Sequence, residues 1–349
     1  MQQSLNLHAL MRALFVTAVV SVTASVSAPV FAAAAPIVFA SWGGTTQSAQ
    51  QKDWATPFTQ TSGVQVLMDG PTDYGKLKAM VDSGNVQWDV VDVEGDFAYA
   101  ALRDGLVEPI DYSVVNKAQL DPRFMSPGAV GSFYYSFVLG YNKATFKNGA
   151  PANYADLFDT KRFPGKRTFY KWSAPGVLEV ALLADGVAPD KLYPLDLDRA
   201  FKKLDTIKSD IVWWSGGAQS QQLMASGEAP LGVFWNGRLH ALQQTGVDVG
   251  VSWNQNLTAA DMLVVPKGAK HKDEAMKFLA TATSAQAQAN FAAETGYAPI
   301  NLKSAALLPA DVAKTQPDQY KATQINLDMK YWADHRDEIA KRWYAWQSK

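Results

Sequence analysis

Short apolar runs alternate with amphipathic segments along most of the chain. In the first part, apolar runs predict strands at residues 37–40, 64–68 and 88–93. The periodicity of the segments after them predicts helices over 46–61, 74–82 and 97–103. Each predicted helix is followed by a glycine, which is typical of helix C-terminal caps: Gly63, Gly84 and Gly105. This alternation indicates a mostly parallel sheet with helices on both faces.

A second series of the same kind follows a long aromatic and aliphatic run at 133–141. Its predicted strands are 167–170, 211–214 and 231–235, and its predicted helices are 177–184, 197–208 and 219–225. A polar helical segment, an apolar run at 262–266, helices over 273–281 and 286–294, and a helical tail from Pro309 complete the chain. The tail carries an apolar stripe: Trp332, Ile339, Trp343 and Trp346.

The predicted fold class is therefore α/β with two lobes, each a mostly parallel sheet flanked by helices. A ligand cleft between the lobes would close by hinge motion. The apolar runs at 133–141 and 262–266 are interpreted as the two crossings between lobes. We predict an N-terminal lobe of 36–140 with 261–305, and a C-terminal lobe of 141–260 with 306–349.

The first 35 residues have the composition of a secretory signal peptide. Arg12 supplies a positive charge, Ala13–Val20 is apolar, and small residues close the segment. Polar residues interrupt the apolar run, which argues against a retained membrane span. We expect cleavage between Ala33 and Pro36 and a mature protein in the periplasm.

Composition narrows the possible functions. The 349 residues carry a formal net charge of −1 with both signs interspersed, so nothing favours nucleic acid or an anionic membrane. The absence of cysteine excludes a thiol nucleophile, a cysteine zinc site and a lipid-modified cysteine. We expect a monomer without a cofactor.

Candidate binding residues lie where predicted strands end. In a parallel sheet ligands bind outside the carboxyl ends of the strands, which indicates the loops 41–44 and 94–96. Trp235 ends the strand 231–235, Arg238 follows it, and Asp261 begins the run before Pro266. An indole, a guanidinium and a carboxylate in these positions suit a small charged ligand.

Enzyme and metal sites are not supported by any motif. The chain contains no Gly-x-Ser-x-Gly elbow, His-Glu-x-x-His pair or phosphate-binding glycine loop. The acidic cluster consists of Asp89, Asp92, Glu94 and Asp96. A strand would place Asp92, Glu94 and Asp96 on one side and Asp89 on the other, so these residues fit a cleft edge and helix caps better than a metal site. Tyr134 and Tyr135, being adjacent on a strand, could not both reach one ion. We predict no catalytic residue and no metal ligand.

Nine short motifs follow one another along the chain: Ser41-Trp42, the block at Asp89, Leu106-Val-Glu-Pro-Ile-Asp, Gly140-Tyr-Asn-Lys, Asn153-Tyr-Ala-Asp-Leu-Phe, Phe234-Trp-Asn-Gly, Asp261-Met-Leu-Val-Val-Pro, the helix from Asp273, and Thr295-Gly-Tyr-Ala-Pro-Ile-Asn. In this order they resemble the spermidine/putrescine-binding family of periplasmic substrate-binding proteins of ABC transporters. The resemblance implies a type II-like two-lobed binding protein without catalytic activity. It implicates Trp42, Trp235, Asp261 and Tyr297, with aromatic rings around an aliphatic stem and a carboxylate on an ammonium group.

Departures from that family change the expected ligand. Gly43 and Gly44 stand where the family has a glutamate after the first tryptophan, and Ala259 replaces a tryptophan. The second-lobe acids are replaced by the segment 170–175, which includes Trp172. Arg238 is added directly after Trp-Asn-Gly and would suit a carboxylate.

The sequence thus favours a periplasmic receptor for a zwitterionic ω-amino acid such as γ-aminobutyrate. Its ammonium group would bind Asp261, its carboxylate Arg238, and its stem would lie between Trp42 and either Trp172 or Trp235. The ligand-binding residues predicted are Ser41, Trp42, Glu94, Trp172, Trp235, Arg238, Asp261 and Tyr297. The partner would be an inner-membrane ABC permease. The alternative is a polyamine receptor, which regains support if Glu94 faces the cleft; an enzyme acting on a small periplasmic substrate is a remote alternative.

Overall fold

The computed structural model describes residues 35–147 and 149–349, which form ten strands and thirteen α-helices. The strands are β1 (Ile37–Ala40), β2 (Val66–Asp69), β3 (Val90–Glu94), β4 (Met125–Ser126), β5 (Ala129–Asn142), β6 (Arg167–Tyr170), β7 (Ile211–Trp214), β8 (Leu231–Trp235), β9 (Val249–Val264) and β10 (Ile325–Asn326). The helices are α1 (Gly44–Gln50), α2 (Thr56–Ser62), α3 (Tyr74–Asp82), α4 (Gly95–Arg103), α5 (Tyr154–Phe158), α6 (Val177–Ala184), α7 (Leu197–Asp205), α8 (Gly217–Ser226), α9 (Asn236–Gln244), α10 (Lys272–Ala282), α11 (Ala285–Thr295), α12 (Ala310–Ala313) and α13 (Met329–Gln347). Nearly all of the predicted signal segment falls outside the described residues.

The strands form one mixed sheet with two parallel flanks. Its order is β2-β1-β3-β9-β5-β8-β6-β7, with β10 beside β9 and β4 beside β5. β1 runs parallel to β2 and β3, and β6 runs parallel to β7 and β8. The long central pair β5 and β9 is antiparallel to each other and to its outer neighbours β8 and β3. Two α/β halves are therefore joined by a central antiparallel pair, which agrees with the predicted fold class.

The second crossing is much longer than the sequence predicts. The apolar run predicted a strand at 262–266, whereas β9 spans Val249–Val264. The preceding polar segment was predicted to be helical, but only its first part, α9, is a helix. Residues 249–254 in the first half of β9 do alternate between apolar and small or polar side chains, a strand pattern that the helical prediction overlooked. The alternation ends where the pairing with β5 shifts register between Phe137 and Leu139, and Gln255 in this irregular stretch has a φ of 60°.

This correction changes the position of Asp261. The sequence places Asp261 at the start of a strand, but it lies inside β9, between Glu94 of β3 and Phe133 of β5. Its side-chain direction is therefore set by pairing on both sides of the strand. Position within a hydrogen-bonded ladder fixes a side chain more tightly than position in a loop.

The helix after β1 begins at a glycine turn. Gly43 and Gly44 have φ values of 77° and 60°, which favour glycine, and they turn the chain directly into α1. A π-helical turn (Gln51–Ala55) joins α1 to α2, so the predicted helix 46–61 is continuous but not regular. The turn holds Trp42 just beyond the carboxyl end of β1.

The C-terminal helix α13 contacts helices on both flanks of the sheet. Its predicted apolar stripe is confirmed as buried: Trp332, Ile339, Trp343 and Trp346. On one side Arg336 pairs with Asp96 of α4. On the other, Trp346 stacks on Phe201 of α7 at a centroid distance of 5.5 Å. Within the described residues, none of the helices is long and apolar enough to span a membrane.

Candidate ligand-binding site

A cavity of about 500 Å³ lies over the ends of β1, β3 and β8 and against the central strands. Every predicted site residue lines it except Ser41: Trp42, Glu94, Trp172, Trp235, Arg238, Asp261 and Tyr297. The structure thus brings together residues from distant parts of the chain. Ser41 is fully buried and its hydroxyl donates to Gln50, so the structure places it behind the cavity wall.

Two carboxyl groups stand side by side at one end of the cavity. Glu94 and Asp261 are directly paired residues of antiparallel β3 and β9. Cross-strand partners share a face, with Cβ atoms about 5 Å apart. Within residues 35–147 and 149–349, no protein group donates a hydrogen bond of normal geometry to the Asp261 carboxylate, although only 7% of this residue is exposed. We call Glu94 and Asp261 the acidic pole.

Burial and neighbouring negative charges raise the pKa values of both acids. Burial is the main cause of an Asp261 pKa well above its ordinary value, and the charges of Asp92 and Glu94 add to it. Burial, followed by the charge of Asp96, raises the pKa of Glu94 to about 7, against the lowering effect of Arg336. Arg336 forms its ion pair with Asp96, and no described residue forms one with Glu94 or Asp261, so an ammonium ligand would supply the missing partner.

The Trp42 indole and the Tyr74 hydroxyl complete the acidic pole. The Trp42 N–H lowers the pKa of Asp261, although it is buried and meets no acceptor at normal hydrogen-bond geometry. Tyr74 donates to Glu94 at 3.2 Å and packs edge-on against Trp42 at 6.2 Å. These contacts fix the acids without neutralising them.

The other acids of the predicted cluster have structural roles. Asp92 is fully buried, accepts from Gln50 at 2.6 Å, and has a pKa raised by burial to about 7. Asp96 lies in α4, since the strand ends at Glu94, and it pairs with Arg336 instead of sharing the strand face. Asp89 accepts from the backbone of Val38 at 2.9 Å. Among the described residues, no group of three or more potential ligands could hold a metal ion.

Arg238 lies elsewhere on the cavity wall, in the first turn of α9. Its Nη1 and Nη2 donate to the hydroxyls of Thr45 at 3.1 Å and Thr46 at 3.3 Å, both in α1. Its Nε is buried without a partner. Because two neutral hydroxyls are its only hydrogen-bond partners among the described residues, its charge is uncompensated there. We call this end of the cavity the basic pole.

Gly217 makes room for that guanidinium. A Cβ atom at this position would lie 2.1 Å from Arg238 Nε, far inside van der Waals contact. Gly217 is also the first residue of α8, whose amino end has no side-chain cap. The free N–H groups and partial positive charge of a helix amino end add to the basic pole.

Aromatic rings form much of the remaining cavity wall. Trp235 packs edge-on against Tyr135 at 6.0 Å and at a tilt against Tyr170 at 5.2 Å. Tyr297 stacks on Phe133 at 4.8 Å. Trp172 is 42% exposed at the rim, and its N–H donates to the Ser215 carbonyl at 3.2 Å.

Several cavity-lining residues were not predicted as site residues: Thr46, Pro71, Thr72, Phe133, Tyr135, Tyr170, Ser215, Gly216 and Gly217. Phe133 and Tyr135 alternate along β5, and Phe133 is the direct partner of Asp261. Their period-two spacing was visible in the sequence, but the face they occupy depends on pairing with the polar strand β9. Gly216 and Gly217 have no side chain whose chemistry could mark them as site residues in the sequence.

Comparison with known proteins gives consistent matches. Residues 53–322 match the family model of bacterial extracellular solute-binding proteins. The chain is 36% identical over 319 residues to the gamma-aminobutyric acid-binding protein of Pseudomonas aeruginosa, covering 88% of this chain and 90% of that protein. It is 24% identical over 276 residues to the spermidine/putrescine-binding periplasmic protein of Escherichia coli, covering 73% and 76%.

The solved structure of the Atu4243-GABA receptor shares 66% identity and superimposes with a TM-score of 0.86, covering 90% of this chain and 98% of that one. The likeness confirms the predicted two-lobed α/β fold class and the resemblance drawn from the motifs. With a family model that spans most of its length, the chain belongs to the bacterial extracellular solute-binding proteins.

Proposed function

We propose that this protein is the periplasmic receptor of an ABC importer and binds a zwitterionic ω-amino acid of the γ-aminobutyrate type. The observation that carries the proposal is the pairing of poles in one cavity. Asp261 and Arg238 both line it, and neither has an oppositely charged partner among the described residues. A ligand with an ammonium group at one end and a carboxylate at the other would supply both missing partners.

The position of Glu94 bears on the polyamine alternative. Glu94 does line the cavity, which would favour a second cation if it stood at the opposite end from Asp261. It is instead the cross-strand neighbour of Asp261. Two acids at one pole, with raised pKa values, hold one ammonium group between them, and the other pole is cationic.

A diamine would place its second ammonium group near the Arg238 guanidinium. Taking a charge out of water without an opposite partner costs several kcal/mol, and a nearby like charge increases the cost. A carboxylate in the same position would accept charge-assisted hydrogen bonds from the guanidinium. The charges of the cavity therefore select a zwitterion.

The aromatic walls suit a short methylene stem. An ammonium group over an indole face gains about 0.5–2 kcal/mol, depending on desolvation. Trp42 and Trp235 both line the cavity. Rings that close around the stem also exclude water, which strengthens both charge pairs.

The relatives support the same ligand class. The names of the Pseudomonas protein and the Atu4243 receptor refer to γ-aminobutyrate, and these matches are stronger than the one to the polyamine-binding protein. The family and the amino-terminal signal composition support export and delivery to an inner-membrane permease. We propose no catalytic step.

Calorimetry on refolded, ligand-free protein tests the proposal. We expect γ-aminobutyrate to bind with micromolar or tighter affinity and putrescine and spermidine to bind far more weakly. Micromolar putrescine binding without γ-aminobutyrate binding would establish the polyamine alternative. Product formation during incubation with the ligand would instead show an enzyme. Loss of γ-aminobutyrate uptake in a strain lacking this chain would test the importer role.

A further inference from the structure

A second cavity of about 400 Å³ adjoins the ligand cavity on the far side of Arg238. The two share three lining residues, Thr46, Arg238 and Tyr297, so the same side chains form a wall for both. The second cavity is further lined by residues of the α1 start, α9 and the α11 end: Gly44, Thr45, Ser48, Gly237, Ala241, Glu294 and Thr295. We call it the outer chamber.

The Arg238 side chain is held in place between the two cavities. Its guanidinium reaches from α9 to the Thr45 and Thr46 hydroxyls of α1. Gly217 packs against its Nε from behind. Because contacts on both sides immobilise it, the side chain acts as a fixed wall.

The lining of the outer chamber includes an acid opposite in charge to this wall. It is Glu294, which pairs with Lys52, whose side chain is 69% exposed. Such surface pairs are weak and leave the carboxylate available to another cation. Burial, followed by the charge of Glu294, raises the pKa of the nearby Asp53 to about 6. The carboxyl end of α11 at Thr295 adds partial negative charge.

We propose that Arg238 limits the length of the ligand as well as binding its carboxylate, because it closes off an outer chamber suited to the second ammonium group of a longer amine. The proposal rests on the assignment of an amine to Asp261. It predicts that a polyamine site is latent in this chain and that one side chain blocks it.

Two substitutions of the same residue separate the charge of Arg238 from its volume. Arg238→Met removes the charge but keeps a side chain of similar reach, whereas Arg238→Ala removes both and joins the two cavities. Both variants should lose γ-aminobutyrate affinity. Only Arg238→Ala should gain spermidine affinity, by about tenfold or more over Arg238→Met, as expected for one additional charge-assisted contact.

Filling the outer chamber provides the matched control. Ala241→Leu in the Arg238→Ala background should abolish the gain in spermidine affinity, and Ala241→Leu alone should leave γ-aminobutyrate affinity unchanged.

Circular dichroism and thermal unfolding check that each variant is folded, and Arg238→Ser replaces Arg238→Ala if the latter is not. Equal spermidine affinities of the Met and Ala variants would overturn the proposal. Failure of the wild type to bind γ-aminobutyrate would instead refute the proposed function and leave the spermidine comparison interpretable.

Discussion

The two poles of the cavity are built in different ways. The acidic pole consists of neighbouring residues in a ladder, Glu94 and Asp261, on strands at the centre of the sheet. The basic pole is one long side chain from the first turn of α9, held by two threonine hydroxyls and by a glycine that leaves room for it. The acidic pole therefore depends on strand register, and the basic pole depends on the packing of a few small residues.

This difference suggests how one fold can recognise different solutes. In the proposed function, amine recognition resides in the sheet, where Asp261 lies in a motif that resembles the polyamine-binding family. The same proposal assigns carboxylate recognition to Arg238, which departs from that family's pattern, and to the small residues around it. Changes at the acidic pole should therefore affect all amines, whereas changes at the basic pole should alter the choice between them.

The largest effect is expected for Asp261→Ala. Removing one member of a buried charge pair costs about 3–5 kcal/mol, or a loss of affinity of at least about a hundredfold. Calorimetry should show the loss for both γ-aminobutyrate and butylamine, because both carry the ammonium group. Asp92→Asn, which removes a carboxylate that does not line the cavity, is the control and should retain binding. A full loss for γ-aminobutyrate with butylamine unaffected would mean that the ammonium group binds elsewhere.

A smaller and more selective effect is expected for Gly217→Ala. The added methyl group would displace the Arg238 guanidinium and weaken a charge-assisted contact worth about 1.5–3 kcal/mol. Affinity for γ-aminobutyrate should fall by about tenfold to a hundredfold, with little change for butylamine. The neighbouring glycine offers a matched control, since a Cβ atom at Gly216 meets nothing within 4 Å. If Gly216→Ala and Gly217→Ala behave alike, Arg238 does not bind the carboxylate.

The smallest effect concerns protons at the acidic pole. The pKa of Glu94 is raised to about 7 in the ligand-free protein, and an ammonium group beside it would lower that pKa. Binding near pH 7 should therefore release protons, and affinity should decrease as the pH falls from 8 to 6. Calorimetry in phosphate and in Tris, which differ in ionisation heat, measures the number released.

The same pKa shift acts on folding in the absence of ligand. Because the folded state holds the proton more tightly than the unfolded state, the contribution of Glu94 to stability decreases as the pH rises from about 4.5 to 7. Glu94→Gln should reduce both this loss of stability with rising pH and the number of protons released when the ligand binds. Identical binding enthalpies in the two buffers for the wild type would show that the acidic pole is already ionised.

The sequence predicts helices and strands well where the local hydrophobic pattern matches the burial of the residues in the fold. The bounds of β1, β6, β7, β8, α3 and α6 match the prediction to the residue. The strands β1, β7 and β8 contain no polar side chain, and α3 carries an apolar face of Leu77, Met80 and Val81. Residues 249–254 of β9 alternate as a half-buried strand does, and the prediction of one continuous polar helical segment overlooked them. The register shift in the pairing of β9 with β5 depends on a distant strand, and no local pattern records it.

The candidate site was predictable to a similar degree. Trp42, Trp235 and Arg238 follow parallel strands, so the rule for strand ends located them. The sequence alone could not show whether the Glu94 side chain faces the cavity, because that depends on the register of β3 with β9. Tyr135 and Gly217 were missed for different physical reasons. The first faces the cavity through central-strand pairing, and the second contributes only the space it leaves.

We propose that the ligand cavity carries a negative charge at the acidic pole and a positive charge at the basic pole. Three ligands with similar stems distinguish the two in the wild-type protein: γ-aminobutyrate, butylamine and putrescine present a carboxylate, a methyl group and an ammonium group to the basic pole. We expect affinities that decrease in that order, with γ-aminobutyrate at least about a hundredfold tighter than putrescine. Putrescine binding as tightly as γ-aminobutyrate, or more tightly, would contradict it.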